Sequence, residues 1–323
     1  MKKGYKAAVT VLSLLLSATV LIGGARMLHG RADAARHRVV ASFYPIYIAA
    51  KNLTQGIGEI ETVNLTRSQT GCLHDFTLRP QDMVTLEGAE VLLINGGGME
   101  SFLDNVMHAY PDLPVVDSSA GLEVLADDEA HSLSFGHDHG EEDHDDEPNA
   151  HFWLSPTRYA QQVQNLRDGL IRVFPQYREQ LEQNADAYLA QIAALRSELS
   201  QAVPDSAQPV IILHNAFAYL AADCGLSVAE TIQVERDTAL SAAQIAQAID
   251  RIRTGGSKLV LAEPQYSAEL ADAIARETQA QVVTLSIATS GPDEPDAYLD
   301  IMKENCRALM QAFAAQSGGG DHP

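Results

Sequence analysis

Between residues 37 and 117, short β-branched runs alternate with amphipathic stretches. Val39 to Phe43, Glu61 to Leu65, Glu90 to Ile94 and Pro114 to Asp117 read as strands. Pro45 to Leu53, Pro80 to Glu87 and Ser101 to Tyr110 read as helices. Pro80 suits a first helical turn, where its missing N–H has no partner to lose. Asn95-Gly96-Gly97-Gly98 closes the third strand. Strands alternating with helices predict a parallel sheet covered on both faces.

After Pro156 the pattern turns helical, with a break at Pro175. Tyr177, Leu181, Ala185, Tyr188, Leu189, Ile192, Leu195 and Leu199 then recur at steps of three and four. A helix over residues 176–202 is ~40 Å long, the span of a whole domain. A second alternating series follows, with strands Pro209–Leu213, Leu226–Thr231, Lys258–Ala262 and Gln281–Leu285. Helices are expected at Ala216–Cys224, Ser241–Arg253, Ser267–Thr278 and from Pro295 to Ala315. The predicted fold is α/β: two lobes, each a parallel sheet flanked by helices, joined by one long rigid helix. The expected division is an N-terminal lobe at 37–174, the connecting helix at 176–202, a C-terminal lobe at 207–316 and a loose tail at 317–323. A helical link bends less readily than loop hinges, so lobe closure is expected to be small.

Residues 123–149 interrupt the pattern. They are rich in Asp, Glu and His, have no Lys or Arg, and read as a mobile acidic loop. Over the whole chain 43 acidic residues face 22 basic ones, for a net charge of -21. That excludes a nucleic-acid binder or a protein held to anionic lipid by a basic patch. The three cysteines, Cys72, Cys224 and Cys306, form no CxxC, which removes a zinc ribbon or a thioredoxin-type site. Cys224 and Cys306 both fall in the second lobe and are the expected disulfide pair.

At the N-terminus, Lys2, Lys3 and Lys6 precede an apolar run from Ala7 to Ala25, then a small-residue tract at Ala32-Asp33-Ala34-Ala35. This is the layout of an export signal over residues 1–35, either cleaved after Ala34 or Ala35 or kept as an anchor. No cysteine precedes Cys72, so no lipid-modified cysteine is expected. The mature domain is expected outside the cytoplasm.

Four residues of metal-ligand type fall at strand ends or loops, where side chains of an open parallel sheet face a crevice. His214 follows the strand ending at Leu213, and Glu263 the strand ending at Ala262. His74 lies in the loop after the second strand, and His151 follows the acidic loop. Taken singly, each has an ordinary role: a loop histidine caps or solvates, and Glu263 before Pro264 closes a turn. Phe152 and Trp153 read as core residues beside His151. Together, three imidazoles and a carboxylate suit a borderline cation such as zinc. His137, His139 and His144 in the acidic loop are expected to add weak, auxiliary metal sites.

Four stretches, in order, carry a family resemblance. His74-Asp75-Phe76-Thr77-Leu78-Arg79-Pro80-Gln81-Asp82 resembles the first ligand motif of the zinc and manganese receptors of bacterial ATP-binding-cassette importers, the cluster 9 type. His151-Phe152-Trp153-Leu154-Ser155-Pro156 resembles the second and His214-Asn215-Ala216-Phe217-Ala218-Tyr219-Leu220 the third. Ala262-Glu263-Pro264-Gln265-Tyr266 is similar to the segment around a fourth, and the acidic His-rich loop to that of zinc members. The chain departs from the pattern at Asn149-Ala150, where the family often has Asp-Pro, and at Asn215, where it usually has an acid. Leu285-Ser286 stands where manganese members carry Asp, which favours Zn2+ over Mn2+ as the transported ligand.

The resemblance implies an extracytoplasmic, monomeric receptor that binds zinc between its lobes and passes it to the importer's permease, without catalysis. His74, His151 and His214 are the implied ligands, with Glu263 or a water completing the tetrahedron. Two other readings use the same residues: an exported zinc hydrolase with an open fourth position, and a surface adhesin on the same fold. No HExxH or GxSxG motif supports the hydrolase.

Overall fold

The computed structural model describes residues 37–67, 73, 76–125, 149–232, 242–255, 257–264 and 268–318. The signal or anchor segment, nearly all of the acidic loop, His74, Cys72 and the last five residues lie outside them.

The first sheet is built from β1 (His37–Ala41), β2 (Ile60–Asn64), β3 (Val91–Ile94) and β4 (Val115–Asp117). The second is built from β5 (Val210–Ile212), β6 (Val228–Thr231), β7 (Leu259–Ala262) and β8 (Gln281–Thr284). Both are parallel and share one winding, β2-β1-β3-β4 and β6-β5-β7-β8. In each, the chain leaves the first strand toward one edge and the third toward the other. The two central strands therefore flank a switch point, where a crevice opens at their carboxyl ends.

The connections are α1 (Tyr44–Leu53), α2 (Pro80–Glu87) and α3 (Asp104–Ala109) in the first lobe. In the second they are α6 (Phe217–Asp223), α7 (Ala242–Gly255) and α8 (Ala268–Thr278). Between the lobes run α4 (Pro156–Val173) and α5 (Arg178–Ala202), and α9 (Ala297–Gly318) ends the fold. Ser155 caps α4 by accepting from the Arg158 N–H at 3.1 Å, with Pro156 in the first turn. Pro175 stops it by excluding helical backbone before itself. α5 buries Leu181, Ala185, Tyr188, Ile192, Leu195, Leu199 and Ala202, the single face that the three-and-four spacing predicts. Ser101–Leu103 form a 3-10 turn ahead of α3, where sequence predicts one continuous helix.

Strand alternation distributes the core. Val39, Ala41, Val91 and Leu93 of the first sheet, and Val210, Ile212, Leu259 and Leu261 of the second, all enter one buried cluster that α4, α5 and α9 complete. The intervening Val40 and Leu92, and Ile211 and Val260, face two smaller clusters on the outer sides. Each lobe has its own outer core, and the inner core is common to both. Gly169 permits the close seating of α4 on β4: a Cβ there would lie 2.3 Å from Val116 Cγ1.

A polar seam reinforces that shared core. Tyr44 Oη donates to the Pro292 carbonyl at 2.8 Å, Tyr47 Oη to Asp293 Oδ1 at 2.6 Å and Lys51 Nζ to the same oxygen at 2.7 Å. Burial raises the Asp293 pKa, but the bonds from Lys51 and Tyr47 outweigh it and hold the carboxyl below its usual range.

The expected Cys224–Cys306 disulfide is not formed; both thiols are free and buried. Cys224 closes α6 and Cys306 lies within α9, and each packs into the common core as a small apolar side chain. Burial pushes the Cys224 thiol up to about 12 and raises Cys306 as well, so neither supplies thiolate near neutrality. Thiol labelling of the native protein, mapped by peptide mass, is expected to miss both and to reach both after denaturation. Native labelling at either position would contradict this packing.

Candidate metal centre

Strand register brings two of the four expected residues together. Ile212 pairs with Leu261 across β5 and β7, and the Leu213 N–H donates to the Leu261 carbonyl at 3.0 Å. Two positions further on, His214 and Glu263 are level with each other. They also share the sheet face of Ile212 and Leu261, which look into the common core between the lobes. His214 Nδ1 lies 2.5 Å from Glu263 Oε1, with the Glu263 side chain fully buried. A carboxylate at that depth needs a donor or a cation beside it.

His151 arrives from the first lobe. Its ring centroid is 4.8 Å from that of His214, edge to face, and it is 1% exposed. Its Nδ1 is 2.8 Å from Asn149 Oδ1, and it leans on Trp153 with ring centroids 5.2 Å apart. Both histidines thus set Nδ1 against an oxygen acceptor. A neutral ring that donates from Nδ1 carries its lone pair on Nε2, the state a metal ligand needs. Phe152 and Trp153 are fully buried, as core residues.

His74, His137, His139 and His144 lie outside the described residues. Beside His74, Leu73 is buried in the common core and accepts from the Phe76 N–H at 2.9 Å. Among the described residues no three His, Cys, Asp or Glu side chains meet in metal-holding geometry. His214 and Glu263 are paired directly, and His151 stands beside them. Leu285 is buried in the common core and offers no oxygen from its side chain.

The switch point of the first sheet holds a group that the sequence pattern did not single out. Glu100 is buried and accepts from Ser42 Oγ at 2.7 Å, the Asn95 N–H at 2.7 Å and the Gly96 N–H at 3.0 Å. The loop it cradles is tight: Gly96 and Gly97 have positive φ, and a Cβ on Gly97 would lie 2.6 Å from the Phe152 ring. Asn95 Nδ2 in turn donates to the Ala150 carbonyl at 2.9 Å, next to His151. Burial, only partly offset by these bonds, pushes the Glu100 pKa up to about 7. The native state therefore holds a proton that the unfolded chain releases near its ordinary ~4.3. Stability from this group is full below that value and is lost as pH rises to about 7, on the order of 3 kcal/mol in all. Chemical unfolding of metal-free protein from acid to neutral pH is expected to show this slope, and Glu100→Gln to lack it. Equal slopes in the two proteins would remove Glu100 as its source.

Residues 39–312 match the family model described as ZnuA, zinc-uptake complex component A periplasmic. The chain belongs to this family. The zinc-binding lipoprotein AdcA of Streptococcus pneumoniae serotype 4 is 26% identical over 278 residues, covering 84% of this chain and 55% of AdcA. The chain thus spans about half the length of the AdcA relatives. The high-affinity zinc uptake system protein ZnuA of Brucella suis biovar 1 is 27% identical over 319 residues, covering 86% of this chain and 92% of that protein. In structure, FpvC of Pseudomonas aeruginosa, solved with Mn2+, superposes with a TM-score of 0.73 at 22% identity over 87% of this chain and 99% of FpvC. The Zn(II)-bound ZnuA-like domain of pneumococcal AdcA gives 0.70 at 21% over 86% of this chain and 98% of that domain. Those two likenesses establish the ZnuA-type two-lobe fold.

Proposed function

We propose that this chain is the extracytoplasmic zinc receptor of an ATP-binding-cassette importer. The observation that carries the reading is the meeting of His151 from one lobe with the His214–Glu263 pair from the other, at a strand switch point. His74, His151 and His214 bind zinc through imidazole nitrogen, and Glu263 or a water completes the site. With its oxygen on His214 Nδ1, the ring edge away from Nε2, the Glu263 carboxylate orients the ring and leaves the fourth position to water, and it is not placed as a hydrolase's base. Zinc is cargo, held without catalysis. The names of the family and of the AdcA and ZnuA relatives support zinc as that cargo.

In this reading residues 1–35 export or anchor the chain, and 37–174 and 207–316 act as lobes on the 176–202 helix. His137, His139 and His144 collect metal weakly, and the monomer docks on the permease. Leu285 withholds the second carboxylate that manganese favours. Competition on metal-stripped protein, read by the fluorescence of the single tryptophan beside His151, is the test. Zinc is expected to displace equimolar manganese, and manganese holding its place would overturn the assignment.

A further inference from the structure

Asn149 engages both ends of its carboxamide and its backbone carbonyl, and its bonds reach both lobes. Its Oδ1 accepts from the His151 ring at 2.8 Å and from the His151 backbone N–H at 3.3 Å. Its Nδ2 donates to the Asn215 carbonyl at 2.9 Å, one residue after His214 in the other lobe. Its own carbonyl accepts from Tyr219 Oη at 2.6 Å, and the same hydroxyl accepts from the Leu125 N–H at 3.1 Å. Tyr219 therefore fastens the described residues on both sides of the acidic His-rich stretch to α6.

The orientation of the carboxamide follows from its backbone partners. The Asn215 carbonyl can only accept, so it faces Nδ2. The His151 N–H can only donate, so it faces Oδ1. With Oδ1 fixed there, the His151 Nδ1 beside it must carry the proton, and the lone pair falls on Nε2. An aspartate here would accept from the ring equally well, but it has no hydrogen to give Asn215. A serine or alanine would reach neither partner.

We propose that Asn149 is a positioning residue for metal capture. It fixes His151 in the Nδ1–H tautomer and ties that ring to the backbone beside His214, so that the two imidazoles present Nε2 in one register. The value of this for binding rests on His151 and His214 being zinc ligands. The tautomer itself does not depend on that reading.

The experiment has two arms. In the first, nitrogen-15 spectra of the imidazoles are recorded on metal-free wild-type protein at about pH 8, above the ordinary imidazole pKa of ~6.5. The His151 signals are assigned by their loss in His151→Ala. A pure Nδ1–H tautomer is expected, retained in Asn149→Asp and mixed in Asn149→Ala. An Nε2–H or mixed ring in wild type overturns the proposal, whatever the variants do. In the second arm, zinc affinity is measured by Trp153 fluorescence against a chelator, with unfolding midpoints checked for each protein. Asn149→Ala is expected to bind zinc at unchanged stoichiometry but 10–100-fold more weakly, the usual effect of losing such a partner. Asn149→Asp is expected to recover most of that loss. Unchanged affinity in Asn149→Ala, or no recovery in Asn149→Asp, overturns it as well. Wild-type protein that takes up no zinc removes the functional reading instead, and the metal-free spectra still decide the role of Asn149.

Discussion

Zinc at a thousandfold excess over its Kd is expected to add about 4 kcal/mol to the unfolding free energy of this chain, and single-histidine variants to lose most of that gain. The native state alone brings His151 and His214 within ring contact, so an ion that needs both binds the folded chain and not the unfolded one. In a protein of this size 4 kcal/mol moves the melting point by on the order of 10 °C. On the proposed ligand set, His74→Ala, His151→Ala and His214→Ala each take away one nitrogen donor. Glu263→Gln is the discriminating fourth variant. If Glu263 is a ligand, the neutral amide weakens zinc as strongly as loss of a histidine. If Glu263 orients His214, the amide oxygen still accepts from Nδ1, and most of the zinc-dependent shift remains. Thermal unfolding of all four with and without zinc reads both answers, and an undiminished shift in the three histidine variants would dismiss the ligand set.

The strands and helices were legible because their patterns have local causes. The unbroken apolar runs at Val39–Ala41 and Leu259–Ala262 follow from strands that meet a core on both faces, and the three-and-four repeat in α5 from a helix that meets it on one. His214 and Glu263 were legible because a polar residue directly after an apolar strand lies at the crevice end. That they pair directly was not, since it depends on β5 lying beside β7, and strand order leaves no mark in either strand. Glu100 and Asn149 were illegible as positioning groups for a related reason. The partners of Glu100 include Ser42, far along the chain, and those of Asn149 include Asn215 in the other lobe. Cys224 and Cys306 misled because membership of one lobe does not bring two thiols into disulfide geometry. Each is instead a small apolar side chain in the common core.

Trp153→Ala is expected to cost about 3–5 kcal/mol, the range for emptying a large buried aromatic position. The indole is fully buried, meets the Phe43 ring edge-on at 4.9 Å, and donates from Nε1 to the Ile287 carbonyl at 2.7 Å. Its own backbone carbonyl accepts from Tyr298 Oη at 2.7 Å. Phe43 belongs to the first lobe and Ile287 to the second, so one side chain spans the junction. Alanine leaves a cavity there and removes the Ile287 carbonyl's indole donor, and a buried acceptor without its donor is costly in itself. Trp153→Phe refills most of the volume but not the hydrogen bond, and is expected to lose less than half as much. Because the chain has one tryptophan, unfolding in urea must be followed by circular dichroism. Lobes that hinge freely would meet only loosely at this point, and the substitution would then cost well under 1 kcal/mol. The larger loss is expected because the inner faces of both sheets share a single core, and Trp153 fills the place where they join directly beneath His151.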